Sequence, residues 1–283
     1  MKICISTETT VDLTKELIEK HNISIIPFNV TLGEEIGKDG EITPEQIFKF
    51  VEETGNLPKT SAINEYAYTE HFENLLKEYD SVIHICLSSQ LSCSYMNAVN
   101  AANSLKNVYI IDSKSLSTGI ALQVLFACKL KEEGKTAEEI VSLLEKRREN
   151  IQASFVVNTL TYLHKGGRCS GLTKVFGTLL RIKPQIIVNS DGKMEPGKKY
   201  MGKSTKCVSK YCADTLEQYN NIDKSLVFVT HSHASEEMIQ IAKAALNEAG
   251  ITNVVETVAG ATITSHCGPK TLGILYYNDG GEY

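Results

Sequence analysis

The feature that most constrains the fold is an alternation of apolar strand-like runs and helical patterns in the first 150 residues. The apolar runs lie at 2–6, 81–87 and 108–112, with helical patterns between and after them. This alternation is typical of parallel strands joined by right-handed crossover helices. The sequence therefore predicts an α/β fold, with residues 1–150 forming an α/β/α domain around a parallel sheet.

A serine-rich segment, Ser88–Tyr95, joins the apolar run at 81–87 to a helical pattern at 96–102. In open parallel sheets, ligands bind at the carboxyl ends of the strands, and a helix N-terminus favours an anion. Polar loops around Thr60 and Asp112 can reach the same edge. The pattern predicts an anion or carboxylate site. Helix capping alone, or nucleophilic catalysis by a serine without a GxSxG motif, are the alternatives.

A second unit begins near residue 151, and its strands and helices follow a different order. Two helical patterns, 203–219 and 235–249, accompany several strand-like runs. The runs lie at 153–157, 183–189, 225–230, 254–258 and 271–277. Because few helices are available to cover these strands, a mixed sheet covered on one face is expected. The prediction is a two-layer α/β domain over residues 151–283, with a ligand between the two domains.

Several segments between these elements are interpreted from their composition. Segments 33–40, 58–61 and 260–269 are expected to be polar loops, and 172–180 is expected to be helical. The last of the polar loops contains His266, followed closely by Gly268 and Pro269. A histidine there can hydrogen-bond to or pair with an anion. A structural histidine, or an acid/base role in an enzyme acting on a small phosphorylated or carboxylated substrate, are the alternatives.

Two further patterns suggest other chemistry. Residues 197–204 match the phosphate-loop pattern GxxxxGK[ST], but a turn at Asp191-Gly192 stands where the preceding strand should end. A basic loop entering a helix is therefore expected. His231 and His233 could face the same way at the end of a strand, but no cysteine or carboxylate pattern completes a metal site. No metal and no cofactor are expected.

Charge and cysteine usage exclude several classes of protein. The net charge of −5 argues against a nucleic-acid surface, and no apolar run approaches the length of a membrane helix. Because the first residues lead directly into an apolar strand pattern, no signal peptide is expected. Its eight cysteines are scattered and form no CxxC pair. This usage is typical of reduced, mostly buried thiols, and a cytoplasmic location is expected.

The polar loops together resemble motifs of the DegV family, in the family's order and over essentially the whole chain. The matching segments are Pro58-Lys59-Thr60-Ser61, Ser88 to Tyr95, Asp112-Ser113 with Ser117-Thr118-Gly119, Leu160 to Arg168, Lys183-Pro184, and His266 to Pro269. The chain is similar in particular to the fatty-acid-binding subunit of bacterial fatty acid kinase. The resemblance implies a two-domain bacterial carrier with no catalysis of its own, which presents a bound long-chain fatty acid to an ATP-dependent kinase subunit for phospholipid synthesis.

The same resemblance implies which residues form the site. The fatty-acid carboxylate would be held by Thr60 or Ser61, by Ser92 and by His266. Three further candidate ligand-binding residues are Ser94, Gly119 and Thr264. Arg168 and Lys203 are candidate contacts to a partner or an interface.

The sequence also departs from the family pattern. Glu8-Thr9 replaces an Asp-Ser pair, Ile63 replaces a proline, and Cys93 and Lys270 replace glycines. Met201 stands where the kinase-associated members carry an arginine thought to contact the kinase.

Overall fold

The computed structural model describes residues 2–168 and 182–283. In the N-terminal region (residues 2–150), the strands are β1 (Ile3–Glu8), β2 (Ser24–Ile26), β3 (Asn29–Leu32), β4 (Glu35–Lys38), β5 (Lys59–Ser61), β6 (Ser81–Cys86) and β7 (Val108–Asp112). The helices there are α1 (Lys15–Lys20), α2 (Pro44–Thr54), α3 (Glu65–Leu75), α4 (Ser94–Ala102), α5 (Thr118–Glu132) and α6 (Ala137–Arg147). Two short 3-10 turns, Thr9–Val11 and Arg148–Asn150, accompany them.

In the C-terminal region (residues 151–168 and 182–283), the strands are β8 (Ile151–Val156), β9 (Ile182–Val188), β10 (Met194–Met201), β11 (Val227–Ser232), β12 (Val254–Val258) and β13 (Thr271–Tyr277). The described helices there are α7 (Thr161–Lys165), α8 (Ser204–Gln218), α9 (Glu236–Glu248) and α10 (Ala261–Cys267). The predicted helix at 172–180 lies outside the described residues.

A parallel sheet organises the N-terminal region, with strand order β2-β1-β6-β7. Every residue of β1 and of β6 is buried, as expected for strands covered on both faces. The apolar core under this sheet continues into the C-terminal region, where Phe155 and Leu275 join it. The predicted α/β fold with a parallel sheet is confirmed, while the division into separate domains at residue 150 stays a prediction.

A six-stranded mixed sheet organises the C-terminal region, in the order β10-β9-β8-β13-β11-β12. Strand β13 runs antiparallel to β8 and β11, whereas β11 and β12 are parallel. Helices α8 and α9 pack on each other and against this sheet. The predicted mixed sheet is therefore confirmed.

A small antiparallel sheet, β4-β3-β5, also belongs to the N-terminal region. Its strands β4 and β5 fall in segments 33–40 and 58–61, so the prediction of loops there was wrong. These short strands carry few apolar residues, and their alternation is too brief to be read from sequence. Helix α10 packs on this sheet and buries Ala261 against Val30 and Ile47.

Two other predicted loops were also wrong. Residues 261–267 within the predicted loop 260–269 form helix α10, although the β-branched and hydroxyl-bearing residues there favour helix weakly. The predicted basic loop at 197–204 lies mostly in β10, which pairs with β9 across the Asp191-Gly192 turn. For α10, contacts with residues distant in sequence override the local preference, whereas β10 is fixed by pairing with its hairpin neighbour β9. Among the described residues, no helix is long and apolar enough to cross a membrane.

Candidate functional site

A cavity lies where the N-terminal and C-terminal regions meet; we call it the central cavity. Both regions contribute to its walls, which are predominantly apolar. The apolar lining residues include Phe28, Leu87, Leu91, Leu116, Phe155, Leu163, Met194, Ile263 and Leu275. The polar lining residues include Thr60, Ser92, Ser117, Arg168, Thr230, His231, Ser232, Thr262, His266 and Thr271. Such a lining suits a largely apolar ligand with one polar group.

The two regions meet at the central cavity through a hydrogen bond between Thr60 and His266. Thr60 lies on β5 and His266 on α10, and the Thr60 Oγ1 to His266 Nε2 distance is 2.8 Å. The other ring nitrogen, Nδ1, is buried without a hydrogen-bond partner among the described residues. One hydrogen of the pair is used in this bond, so a neutral imidazole leaves one donor for a polar group in the cavity. That donor is the Thr60 hydroxyl when Nε2 carries the ring hydrogen, and the Nδ1–H when Nδ1 carries it.

The surroundings of His266 keep its imidazole neutral at pH 7. Burial and, to a smaller extent, the nearby positive charge of Arg168 together lower the pKa of His266 to about 4. Arg168 is itself exposed; its guanidinium donates to the Gly166 carbonyl oxygen and lines the cavity. A negatively charged ligand beside His266 would find a neutral hydrogen-bonding ring and one guanidinium.

The serine loop, Ser88–Tyr95, contributes Ser92 to the cavity. The Ser92 Oγ accepts the Ser94 N–H, which leaves its own hydroxyl hydrogen for a ligand. The Ser88 Oγ instead donates to the Gly192 carbonyl oxygen at the tip of the β9–β10 hairpin. Asp112 accepts the Ser89 N–H, so two of the predicted polar loops do meet at the sheet edge.

A buried carboxylate, Glu8, holds the serine loop from behind. It accepts the Leu87 N–H at the start of the loop and the Ser94 hydroxyl at its end. The hydroxyls of Tyr68 and Thr10 donate to it as well. Burial raises the pKa of Glu8, although these donors oppose the shift. In the sequence, this network is signalled only by a carboxylate, Glu8, at the end of the apolar strand β1. The residues that donate to Glu8 cannot be identified from the sequence.

The structure separates the predicted site residues into two groups. Thr60, Ser92, His266 and Arg168 line the central cavity, whereas five others do not: Ser61, Ser94, Gly119, Thr264 and Lys203. Of the neighbouring pair Thr60 and Ser61, only Thr60 faces the cavity, because residues alternate sides along β5. Ser117 also lines the cavity. It lies within the segment Ser117-Thr118-Gly119, but its local sequence does not distinguish it as a lining residue.

The residues away from the cavity have other contacts. Ser94 belongs to the Glu8 network, and the Thr264 hydroxyl donates to the Ala259 carbonyl oxygen. Gly119 permits close packing of α5, because a Cβ there would lie 2.1 Å from Ser115 Oγ and 3.6 Å from Ala153 Cβ. Lys203 is exposed immediately before α8.

The two candidate metal-binding histidines point to different partners. His231 Nε2 lies 3.2 Å from Glu256 Oε1, and His233 Nε2 lies 3.2 Å from Glu45 Oε1. These separate pairings do not bring the two imidazoles to one ion. The phosphate-loop match at 197–204 falls mostly on a strand rather than between a strand and a helix, so its structural context is absent.

The fold and the central cavity define a class of α/β proteins in which a parallel-sheet region and a mixed-sheet region enclose one largely apolar cavity. Residues 2–279 match the family described as "uncharacterised protein, DegV family". A DegV domain-containing protein of Caldanaerobacter subterraneus subsp. tengcongensis is 32% identical over 280 residues, covering 97% of this chain and 98% of the relative. One from Staphylococcus aureus is 33% identical over 281 residues, with the same coverage. The chain therefore belongs to the DegV family.

Solved structures of the family have the same fold. A DegV family protein from Thermus thermophilus, described by its fatty-acid binding, has a TM-score of 0.89 at 28% identity and covers 98% of this chain and 99% of its own. DegV of Bacillus subtilis, described as a fatty-acid-binding protein, has a TM-score of 0.86 at 27% identity and the same coverage. Solved structures of relatives with this fold thus include proteins described as fatty-acid-binding.

Proposed function

We propose that this chain binds one long-chain fatty acid in the central cavity. The observation that carries the proposal is the Thr60–His266 pair, which joins both regions at a cavity with mainly apolar walls. A carboxylate needs donors and a nearby positive charge, whereas an acyl chain needs only apolar walls. Fatty-acid binding by the structural relatives from Thermus thermophilus and Bacillus subtilis supports the same assignment.

In this proposal Thr60, Ser92 and His266 hold the carboxylate, and Arg168 supplies the compensating charge. The acyl chain lies along apolar walls such as Phe28, Leu116 and Phe155. At about 0.8 kcal/mol for each buried CH₂, a C16 chain gains on the order of 10 kcal/mol before the costs of binding. Tight binding with slow exchange is the expected result.

We further propose that the chain acts as a carrier rather than a catalyst. It would present the carboxylate to a separate ATP-dependent kinase subunit, which forms an acyl phosphate for phospholipid synthesis. Met201, the exposed last residue of β10, and Lys203, exposed immediately before α8, are candidate contacts for that subunit.

Mass spectrometry of the natively purified protein tests the binding proposal. We expect an organic extract to contain a long-chain fatty acid in about one copy per chain. If no fatty acid is recovered, and delipidated protein binds neither added oleate nor added palmitate, the proposal is wrong.

Two matched variants test the headgroup assignment. His266→Ala should weaken oleate binding by about tenfold or more, because it removes a direct ligand. Ser61→Ala, an exposed neighbour of Thr60, should leave affinity within about twofold. Circular dichroism checks that both variants fold. Equal oleate affinities for the two folded variants would show that His266 does not bind the carboxylate.

The carrier role has a separate test. With ATP and a bacterial fatty acid kinase subunit, the oleate-loaded protein should yield acyl phosphate; without that subunit it should yield none. Turnover of a small phosphorylated or carboxylated substrate by the chain alone, lost in His266→Ala, would instead favour the enzyme alternative.

A further inference from the structure

Helix α10 carries His266, but residues of the N-terminal region cap its first turn. The Gly260 N–H donates to Asp12 Oδ1 at 2.8 Å. The Ala261 N–H donates to Asp39 Oδ1 at 2.8 Å, and the Thr262 N–H donates to Asp39 Oδ2 at 3.0 Å. Two carboxylates thus accept three consecutive backbone donors that a helix leaves without internal partners.

The helix has no side-chain cap of its own. Its N-cap residue is Gly260, which has no side chain to accept a hydrogen bond. A carboxyl oxygen accepts from these N–H groups in either protonation state, and an ionised carboxylate also suits the partial positive charge at this end of a helix. Asp12 and Asp39 are only 6% and 7% exposed, so neither contact is a loose surface interaction. The capping groups that α10 needs are therefore supplied from the N-terminal region.

The same carboxylates reach the wall of the central cavity. The Ser117 hydroxyl, which lines the cavity, donates to Asp12 Oδ2 at 2.5 Å. Asp12 and Ser117 both have positive φ angles, 51° and 52°. Non-glycine residues in this conformation persist only where the surrounding contacts hold them. Thr262, whose N–H is held by Asp39, also lines the cavity.

We propose that Asp12 and Asp39 are positioning residues for the fatty-acid site: they fix α10 against the N-terminal region so that His266 reaches Thr60. The inference rests on the proposed function, because it assigns these residues to the headgroup site. Neither aspartate lines the cavity, so neither touches the ligand. They act through the helix, whose last turn carries His266.

Three variants of the full chain separate positioning from general stability. Asp39→Ala removes both acceptors, whereas Asp39→Asn keeps one carbonyl oxygen for the Ala261 N–H. Ser235→Ala removes a side-chain cap from α9, in the same region but away from the cavity. The readouts are oleate affinity and the His266 imidazole NMR signal in delipidated protein, assigned by its loss in His266→Gln.

Asp39→Ala should weaken oleate binding about tenfold and shift the His266 signal, with Asp39→Asn intermediate at about threefold. Ser235→Ala should leave affinity within about twofold and the His266 signal unchanged, because it loses only local helix stability. Wild-type affinity together with an unshifted His266 signal in folded Asp39→Ala would overturn the inference.

Two further outcomes remain decisive. If Asp39→Ala does not fold, Asp39→Asn decides: a shifted His266 signal with weaker binding supports positioning, and wild-type values of both overturn it. If the wild-type protein binds no oleate, the proposed function fails. The His266 signal of the ligand-free variants then still shows whether Asp39 positions the histidine.

Discussion

The two polar walls of the central cavity are held in different ways. The serine loop is held by Glu8, which lies on β1 beside the loop's own strand β6. Helix α10 follows β12 in the C-terminal region, but its first turn is held by Asp12 and Asp39. The first wall is anchored by a carboxylate of its own region and has one further bond to the other region, from Ser88 to the Gly192 carbonyl oxygen. The second wall is held at its first turn by carboxylates of the other region.

The two walls of the central cavity should therefore respond differently when a contact is lost. Loss of the Glu8 network would disturb the parallel-sheet core, since Glu8 and its partners Tyr68 and Ser94 are fully buried. Loss of a contact between the regions would mainly affect how the two walls face each other. The predictions below test this contrast, beginning with the largest expected effect.

Glu8→Ala is expected to be the most damaging change. It leaves the donors Leu87 N–H, Tyr68 OH and Ser94 OH without their acceptor in a buried site, and it leaves a cavity. We expect the free energy of unfolding to fall by about 3–5 kcal/mol, measured by urea denaturation.

Tyr68→Phe is the matched control for that change. It removes one hydroxyl donor and keeps the ring, so a loss of about 1–2 kcal/mol is expected. A smaller loss in Glu8→Ala than in Tyr68→Phe would show that Glu8 does not organise the serine loop.

Gly192→Ala tests the hairpin contact between the regions. A Cβ there would lie 2.2 Å from Ser88 Oγ and 2.9 Å from Lys114 Cα, and φ is +84°. We expect a loss of about 2–3 kcal/mol in the free energy of unfolding, because the side chain clashes and the backbone is strained.

Gly134→Ala isolates the backbone part of that loss. Gly134 has φ +80°, but nothing lies within 4 Å of the added Cβ. About 1 kcal/mol is expected from the positive φ alone. Equal losses in the two variants would mean that the hairpin tip moves away from Ser88 at no cost.

Asp12→Asn tests the contact on the other wall through its pH dependence. Burial raises the pKa of Asp12 to about 8, and the facing charge of Asp39 contributes to this rise. The folded protein therefore binds a proton that the unfolded chain releases near pH 4. The stabilisation from Asp12 is present below about pH 4 and is lost as the pH rises through about 8.

An asparagine mimics the protonated carboxyl group and does not titrate. The stability of Asp12→Asn relative to wild type should therefore rise steadily between about pH 5 and 8 and then level off. Urea denaturation at several pH values measures this difference. A pH-independent difference would show that Asp12 is ionised in the folded protein throughout this range.

Lys270→Gly should have the smallest effect. Lys270 has φ +59°, a conformation that favours glycine, and its N–H donates to the Ser232 carbonyl oxygen. Glycine should keep this bond and relieve strain, so the free energy of unfolding should rise by up to about 1 kcal/mol. A loss of stability would mean that the lysine side chain makes a contact worth more than the strain.

The strands and helices that repeat a clear local pattern could be predicted. Strand β6 and helix α4 were placed correctly because their apolar spacing persists over several residues. Helix α10 could not be predicted, since its caps Asp12 and Asp39 lie 248 and 222 residues from the groups they bind. The side-chain contact of His266 was equally inaccessible, because Thr60 is 206 residues away.

The sequence by itself determined the α/β class, the order of the polar loops and the family motifs that made Thr60, Ser92 and His266 candidates. The tertiary structure decided that Thr60 rather than Ser61 faces the cavity and that Ser94 belongs to the Glu8 network. It also decided that α10 is a helix held by carboxylates of the other region. The physical reason is that burial and hydrogen-bond partners depend on chain segments brought together by packing, which local spacing does not encode.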